Sequence, residues 1–181
     1  METKPVETTM IVVTGPESTG KSVLSEQLAR YYGAVWEPEY ARQYLTGKSS
    51  YCYEDVEHIA RAQIARYHEL SRRQGLVFLD TWLIITRVWF LWSYKYVPEW
   101  LDTALGACNI DLYLLCRPDI PWVPDPLREN GGDSRKELFD IYRNELVARQ
   151  LPFVEVAGQG DARFQLAVSE IQRRFGTMTS N

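Results

Sequence analysis

The stretch MIVVTGPESTGKSVLSEQLA, Met10–Ala29, constrains this chain more than any other part of it. An apolar run reads as a buried strand, Met10–Thr14, and a helical pattern opens after Gly20. Between them, Gly15, Pro16, Glu17, Ser18, Thr19, Gly20, Lys21 and Ser22 match G-x-x-x-x-G-K-[ST], the pattern of a phosphate-binding loop in its required strand-to-helix setting. Chance produces the bare pattern in roughly half a per cent of chains this long. The glycines let backbone N–H groups turn inward on an anion, and the helix that starts at the loop adds its positive dipole end. Lys21 is placed to reach β- and γ-phosphates, Ser22 to hold Mg²⁺, and Val23 to follow them at the edge of the site. The alternative is a tight turn with an ordinary capping serine.

A strand followed by a helix recurs along the chain. Candidate strands are Met10–Thr14, Ala34–Glu37, Leu76–Asp80, Ile110–Cys116 and Phe153–Val156. Between them, Val56, Ile59, Ala60, Ile64 and Tyr67 repeat at helical spacing, as do Leu138, Phe139, Tyr142 and Leu146, and then Phe164, Val168, Ile171 and Phe175. The pattern predicts an α/β fold in three layers, a five-stranded mostly parallel sheet with helices on both faces. At 181 residues and 45% hydrophobic content, one core and one domain over residues 1–176 are expected, with 177–181 as a flexible tail. Residues 117–135 carry Pro118, Pro121, Pro124, Pro126, Gly131 and Gly132 and read as a long loop, here taken as a lid.

Composition narrows the partners. A net charge of −4 gives no general attraction for nucleic acid or anionic membrane, so phosphate chemistry must rest on local cations. Three cysteines without paired metal-ligand spacing read as free thiols in a reducing compartment, and the N-terminus shows no basic and apolar leader pattern. A soluble cytoplasmic protein acting on a small molecule is expected, with oligomeric state left open.

A triphosphate site serves a GTP switch, a motor ATPase or a small-molecule kinase. No Asn-Lys-x-Asp follows either late strand, which removes the commonest switch. A motor needs a larger module, so a kinase fits the size. The run Leu76–Asp80 ends in a carboxylate where the neighbouring strand should deliver an acid beside the loop. Asp80 is therefore the main catalytic candidate, as Mg²⁺ ligand or as acceptor of the attacking hydroxyl's proton, with helix capping as the bland alternative. Charge on the transferring phosphoryl calls for an arginine from within the chain. Arg128 in the lid is the first choice and Arg135, on the following helix, the second.

Several stretches together resemble the ribosylnicotinamide kinase domain of the NadR-type NAD-salvage proteins, a branch of the P-loop kinases. They are GPESTGKSVL (15–24), the cluster Trp36, Glu37, Glu39, Tyr40 and Arg42, FLDT (78–81), WVPDPLR (122–128) and LPFVEV (151–156), in order along nearly the whole chain. The resemblance implies transfer of a phosphoryl group from ATP, with Mg²⁺, to the ribose 5′-hydroxyl of nicotinamide riboside. It covers the kinase part alone; the adenylyltransferase and DNA-binding parts of the composite family members are not carried over. It implies Trp122 as the residue stacking on the acceptor, Glu39 and Asp125 on ribose hydroxyls, and Arg42 orienting the second-strand loop or the carboxamide. The sequence departs from the family with Trp82 where a second acid often follows Asp-Thr, and with Pro126 where the family often has Gly. The acceptor's flat cationic ring calls for aromatic faces and acids, and Tyr40, Trp82 and Trp122 stand at strand ends or in the lid. Trp36, Trp89, Trp92 and Trp100 read as core. Competing readings are a kinase for another nucleoside or small metabolite, and an ATP-binding regulatory protein without turnover.

Overall fold

The computed structural model describes residues 8–123 and 134–177. Among them, five strands form one parallel sheet in the order β2-β3-β1-β4-β5. The strands are β1 Thr8–Thr14, β2 Val35–Glu37, β3 Gly75–Asp80, β4 Leu112–Cys116 and β5 Phe153–Val156. The helices are α1 Lys21–Tyr32, α2 Tyr40–Leu45, α3 Tyr53–Leu70, α4 Leu83–Trp89, α5 Glu99–Ala107, α6 Ser134–Ala148 and α7 Gly160–Phe175. A π-helical turn, Phe90–Tyr94, continues α4. No helix among the described residues is long and apolar enough to cross a membrane.

Parallel strands are covered on both faces, so their sequences run apolar without interruption, and alternate residues serve opposite layers. Met10 and Val12 of β1 join Val77, Leu79, Tyr113 and Leu115 in a core shared with α3, α4, α5 and α6. Ile11 and Val13 face the other way, with Phe78, Leu112, Leu114 and Cys116, into a core closed by α1 and α7. The three helical stripes expected from periodicity lie on these faces. Full burial of a Leu or Ile side chain contributes about 1.5–3 kcal/mol, so these two layers supply most of the drive to fold.

Strand ends differ from expectation where a local contact decides them. β4 starts at Leu112 rather than Ile110 because Asp111 is used otherwise: its carboxylate accepts from Met10 N at 2.7 Å and its own N–H donates to Met10 O at 2.9 Å. The sheet order places β1 between β3 and β4, so the chain leaves the centre in opposite directions on its two sides. A crevice opens at the carboxyl ends of the strands at such a point. Residues 15–22 and Asp80 both stand there.

Candidate active site

The loop 15–20 is shaped by its backbone. Gly15 has φ +135°, and a Cβ at this position would lie 2.7 Å from Cys116 O, so the turn passes too close to β4 for any other residue. Ser18 and Gly20 also take positive φ, at 51° and 74°. Thr19 is fully buried and its hydroxyl donates to Pro16 O at 2.9 Å, which pins the loop from within. Lys21 Nζ donates to Pro16 O at 2.7 Å, spanning the cradle it would share with an anion. α1 has no acid in its first turn, so its positive end is left uncompensated on the loop side. A phosphate-binding seat follows from these three features together.

Asp80 closes β3 and is 2% exposed. Burial first, and the charge of Glu39 second, push its carboxyl up to about 6, against the opposing pull of the Ser22 hydroxyl, Lys21 and Arg42. Its Oδ1 is buried without a hydrogen-bond partner. Thr81, next along, has φ 64°, an uncommon value for a β-branched residue, and its buried hydroxyl likewise lacks a partner. The backbone is held there because Thr81 N donates to Val13 O at 3.0 Å, tying the strand end to β1.

In front of the phosphate loop opens a cavity of about 420 Å³; Asp80 and Thr81 are buried behind it and do not line it. Its floor is the whole loop from Gly15 to Val23, and Glu39 and Arg42, 4.0 Å apart as an ion pair, stand on its rim. Its far wall is made by Lys48, Ser49, Ser50 and Tyr51, by Trp89, Trp92 and Ser93, and by Leu138 and Tyr142. Burial, with the charges of Glu39 and Glu17, raises the Tyr142 phenol well above its ordinary value and keeps it protonated as a donor.

Several expected residues are placed elsewhere. Trp82 belongs to the core: it is 2% exposed and packs 5.4 Å from the Tyr67 ring, because the extended backbone at the start of α4 turns it inward. Tyr40 does not line the cavity; its hydroxyl meets His58 Nε2 at 3.1 Å, and its ring stacks with Tyr44. Trp122 is 37% exposed and stands off the wall, whereas its neighbours Pro121 and Val123 line it. Arg135 does not reach into the cradle: its buried guanidinium donates to Ser18 O and Ile120 O on the loop's outer side. Asp125 and Arg128 lie outside the described residues.

Sequence reasoning missed Tyr51, Trp89, Trp92 and Tyr142. The three aromatics outside α6 have half their surfaces in the core: Trp89 meets Tyr51 edge-on at 4.7 Å, and both pack on buried neighbours. An apolar helical stripe gives no signal for a core residue that also borders a cavity. The π-helical turn directly after Trp89 is visible only in the structure, and such turns are frequent at functional sites.

Comparison with known proteins gives the same fold. A family model described as an AAA domain matches residues 10–163. The trifunctional NAD biosynthesis/regulator protein NadR of Escherichia coli (strain K12) is 26% identical over 184 residues, 97% of this chain and 45% of the relative. The protein of the same description from Salmonella typhimurium (strain LT2) matches with the same identity and coverage. The chain thus spans less than half the length of the curated relatives it matches. Among solved structures, a NadR protein in complex with NAD and AMP-PNP superimposes with a TM-score of 0.75 at 25% identity, over 96% of this chain and 51% of that one. A deoxyadenosine kinase from M. mycoides shares the fold at a TM-score of 0.65 and 13% identity, over 91% of this chain and 98% of that one. The architecture is that of the P-loop kinases, and the chain resembles NadR along almost its whole length. Since the matched span runs from inside β1, through the phosphate loop and Asp80, into the first turn of α7, the chain belongs to this AAA-domain family of P-loop proteins.

Proposed function

We propose that the protein transfers the terminal phosphoryl group of ATP to the ribose 5′-hydroxyl of nicotinamide riboside. The observation that carries the reading is Asp80: a buried carboxyl, held near the phosphate loop, with its acidity weakened and one oxygen unpaired. An adaptor that only bound a nucleotide would not need it. Likeness to NadR supplies the acceptor, since solved NadR structures contain NR in one case and NAD with AMP-PNP in another.

The donor set fits Mg²⁺. The orphaned Asp80 Oδ1 and the Ser22 hydroxyl are hard oxygen groups on neighbouring residues, and these two residues would hold the ion. When bound, such an ion neutralises charge on the phosphates. On this reading the amides of residues 15–22 grip the triphosphate, Lys21 bears on its outer phosphates, and Asp80 accepts the proton of the attacking hydroxyl or holds the ion. Glu39 takes ribose hydroxyls, with Arg42 paired beside it. Tyr51, Trp89 and Trp92 offer faces to a flat cationic ring, and each such contact contributes about 0.5–2 kcal/mol according to desolvation. Asp125 and Arg128 are assigned to the ribose and the transferring phosphoryl, in a lid over about 117–135 of a single domain spanning 1–176. We place the enzyme in the cytoplasm, where its three free thiols stay reduced.

The test is ADP release, coupled to an optical readout, with nicotinamide riboside, uridine, adenosine and thymidine as acceptors. Turnover is expected with nicotinamide riboside above the rate with water alone, and loss of it by at least a hundredfold in Asp80→Asn. Equal rates for all four and for water would end the proposal, and preference for another nucleoside would move the chain to the wider class of nucleoside kinases.

A further inference from the structure

We infer that Arg163 is a positioning residue for the phosphate loop, acting through carbonyl groups on the loop's outer side. The inference rests on reading residues 15–22 as a triphosphate seat, and deepens it. A loop that turns its amides inward must turn carbonyls outward, and buried carbonyls need donors. Ser18 O receives one from Arg135 at 3.2 Å, and Thr19 O receives one from Arg163 Nη1. Arg163 is 4% exposed and uses the rest of its planar fork at the same time. Nε donates to Gly158 O at 2.7 Å, Nη2 donates to Arg117 O at 3.0 Å, and Nη2 also meets the Asp119 carboxylate. Asp119 in turn accepts from Gly158 N at 2.7 Å, so the ring of contacts closes on itself.

Arg163 therefore joins the phosphate loop to the exit of β4 and to the turn between β5 and α7. Helix stability does not explain it. Residue 163 lies in the first turn of α7, where the dipole disfavours a cation, and a buried guanidinium carries a desolvation cost. Both costs are accepted where one fixed fork of N–H donors meets several acceptors at once. A lysine keeps the charge but presents one compact ammonium, which cannot span Thr19 O, Arg117 O and Gly158 O together. The residue touches no reacting atom; what it sets is the tilt of the Thr19 peptide, and with it the direction of the amides that follow.

The experiment measures binding directly. Calorimetric titration of the full chain with AMP-PNP, and separately with inorganic tripolyphosphate, is compared between the wild type and Arg163→Lys. Both dissociation constants are expected to rise at least tenfold, while the KM of whichever riboside is turned over stays within twofold. If both constants stay within twofold of the wild type, or the riboside KM rises in proportion, the inference is overturned. Should Arg163→Lys fail to yield folded protein, Asp119→Asn decides, since it leaves the three carbonyl contacts and removes only the anion. A weakening of both constants by threefold or more with an unchanged riboside KM supports the inference, and unchanged constants refute it. Because neither titration uses an acceptor, a chain that phosphorylates no riboside loses the proposed reaction and leaves this measurement intact.

Discussion

Asp80 shows at the scale of one residue how a site is maintained against folding stability. A carboxyl at about 6 in the folded protein and near 3.8 in the unfolded chain binds more protons when folded, so between those values stability falls as pH rises. The full cost, about 3 kcal/mol from the difference, is present above pH 6 and absent below about pH 4. Asp80→Asn, free of ligands, is therefore expected to be more stable than the wild type by up to about 3 kcal/mol at pH 8 and equal to it near pH 4, as read from urea midpoints at the two pH values. An unfavourable effect of the substitution at pH 8 would show that the carboxylate is better satisfied than its surroundings indicate. The same titration bears on turnover: kcat/KM of the wild type should rise through about pH 6 and level off as the carboxylate form fills. The position was legible in sequence because an apolar strand ending in an acid has few uses. Its unpaired oxygen and the positive φ of Thr81 beside it were not, since both depend on what surrounds them.

Among the elements, α4 and the π-helical turn after it differ most from what periodicity suggests. Of the apolar residues from Leu83 to Trp92, Leu83, Ile84, Val88 and Phe90 are buried, and Ile85, Trp89, Leu91 and Trp92 are partly buried. Ile85, Trp89 and Trp92 line the cavity. Trp89 is braced edge-on by Tyr51, which arrives from the residues between α2 and α3, so two segments far apart in sequence make one aromatic wall. Trp89→Ala is expected to raise the KM for nicotinamide riboside by about tenfold, with the KM for ATP unchanged within twofold, in steady-state assays varying each substrate in turn. Trp122→Ala, which removes a ring standing off the cavity wall, should change neither by more than about twofold. The reversed result would return the acceptor's stacking partner to Trp122, as the family resemblance alone implied. The phosphate loop, by contrast, was readable residue by residue, because its geometry is carried by backbone and glycine and needs little from the rest of the fold.

At the scale of the whole molecule, helices α4, α5 and α6 are tied by a charge network away from the site. Arg87 lies 2.7 Å from Asp102 and 2.6 Å from Glu145, and Arg149 reaches the same two acids at 2.8 and 3.3 Å. Arg87 is 13% exposed and Glu145 17%, whereas Asp102 is 40% exposed, so loss of Arg87 leaves one poorly hydrated carboxylate, Glu145, with Arg149 as its remaining partner. Arg87→Ala should lower stability by about 1–2 kcal/mol, seen as a lower urea midpoint at constant slope, while the KM values for both substrates stay within twofold. A change in substrate KM without a change in midpoint would mean that the network shapes the site rather than the scaffold. The two apolar layers cover both faces of the sheet, whose parallel register brings residues 15–22 and position 80 to the same end of the strands.

Sequence alone determined the alternation of strands and helices, the parallel sheet and the glycine-bearing turn between β1 and α1, because each of these follows from periodicity or from a short run of backbone requirements. Tertiary structure decided which aromatic residues border the cavity. Trp82 went to the core and Trp89 and Trp92 to the cavity, though all three are apolar and lie within eleven residues, since which side of a buried helix meets a void depends on the elements packed around it. It also decided the work of the arginines. Arg135 and Arg163 are charged residues on helices, indistinguishable by sequence from solvated ones, and only the folded chain brings the outward carbonyls of Ser18 and Thr19 within their reach.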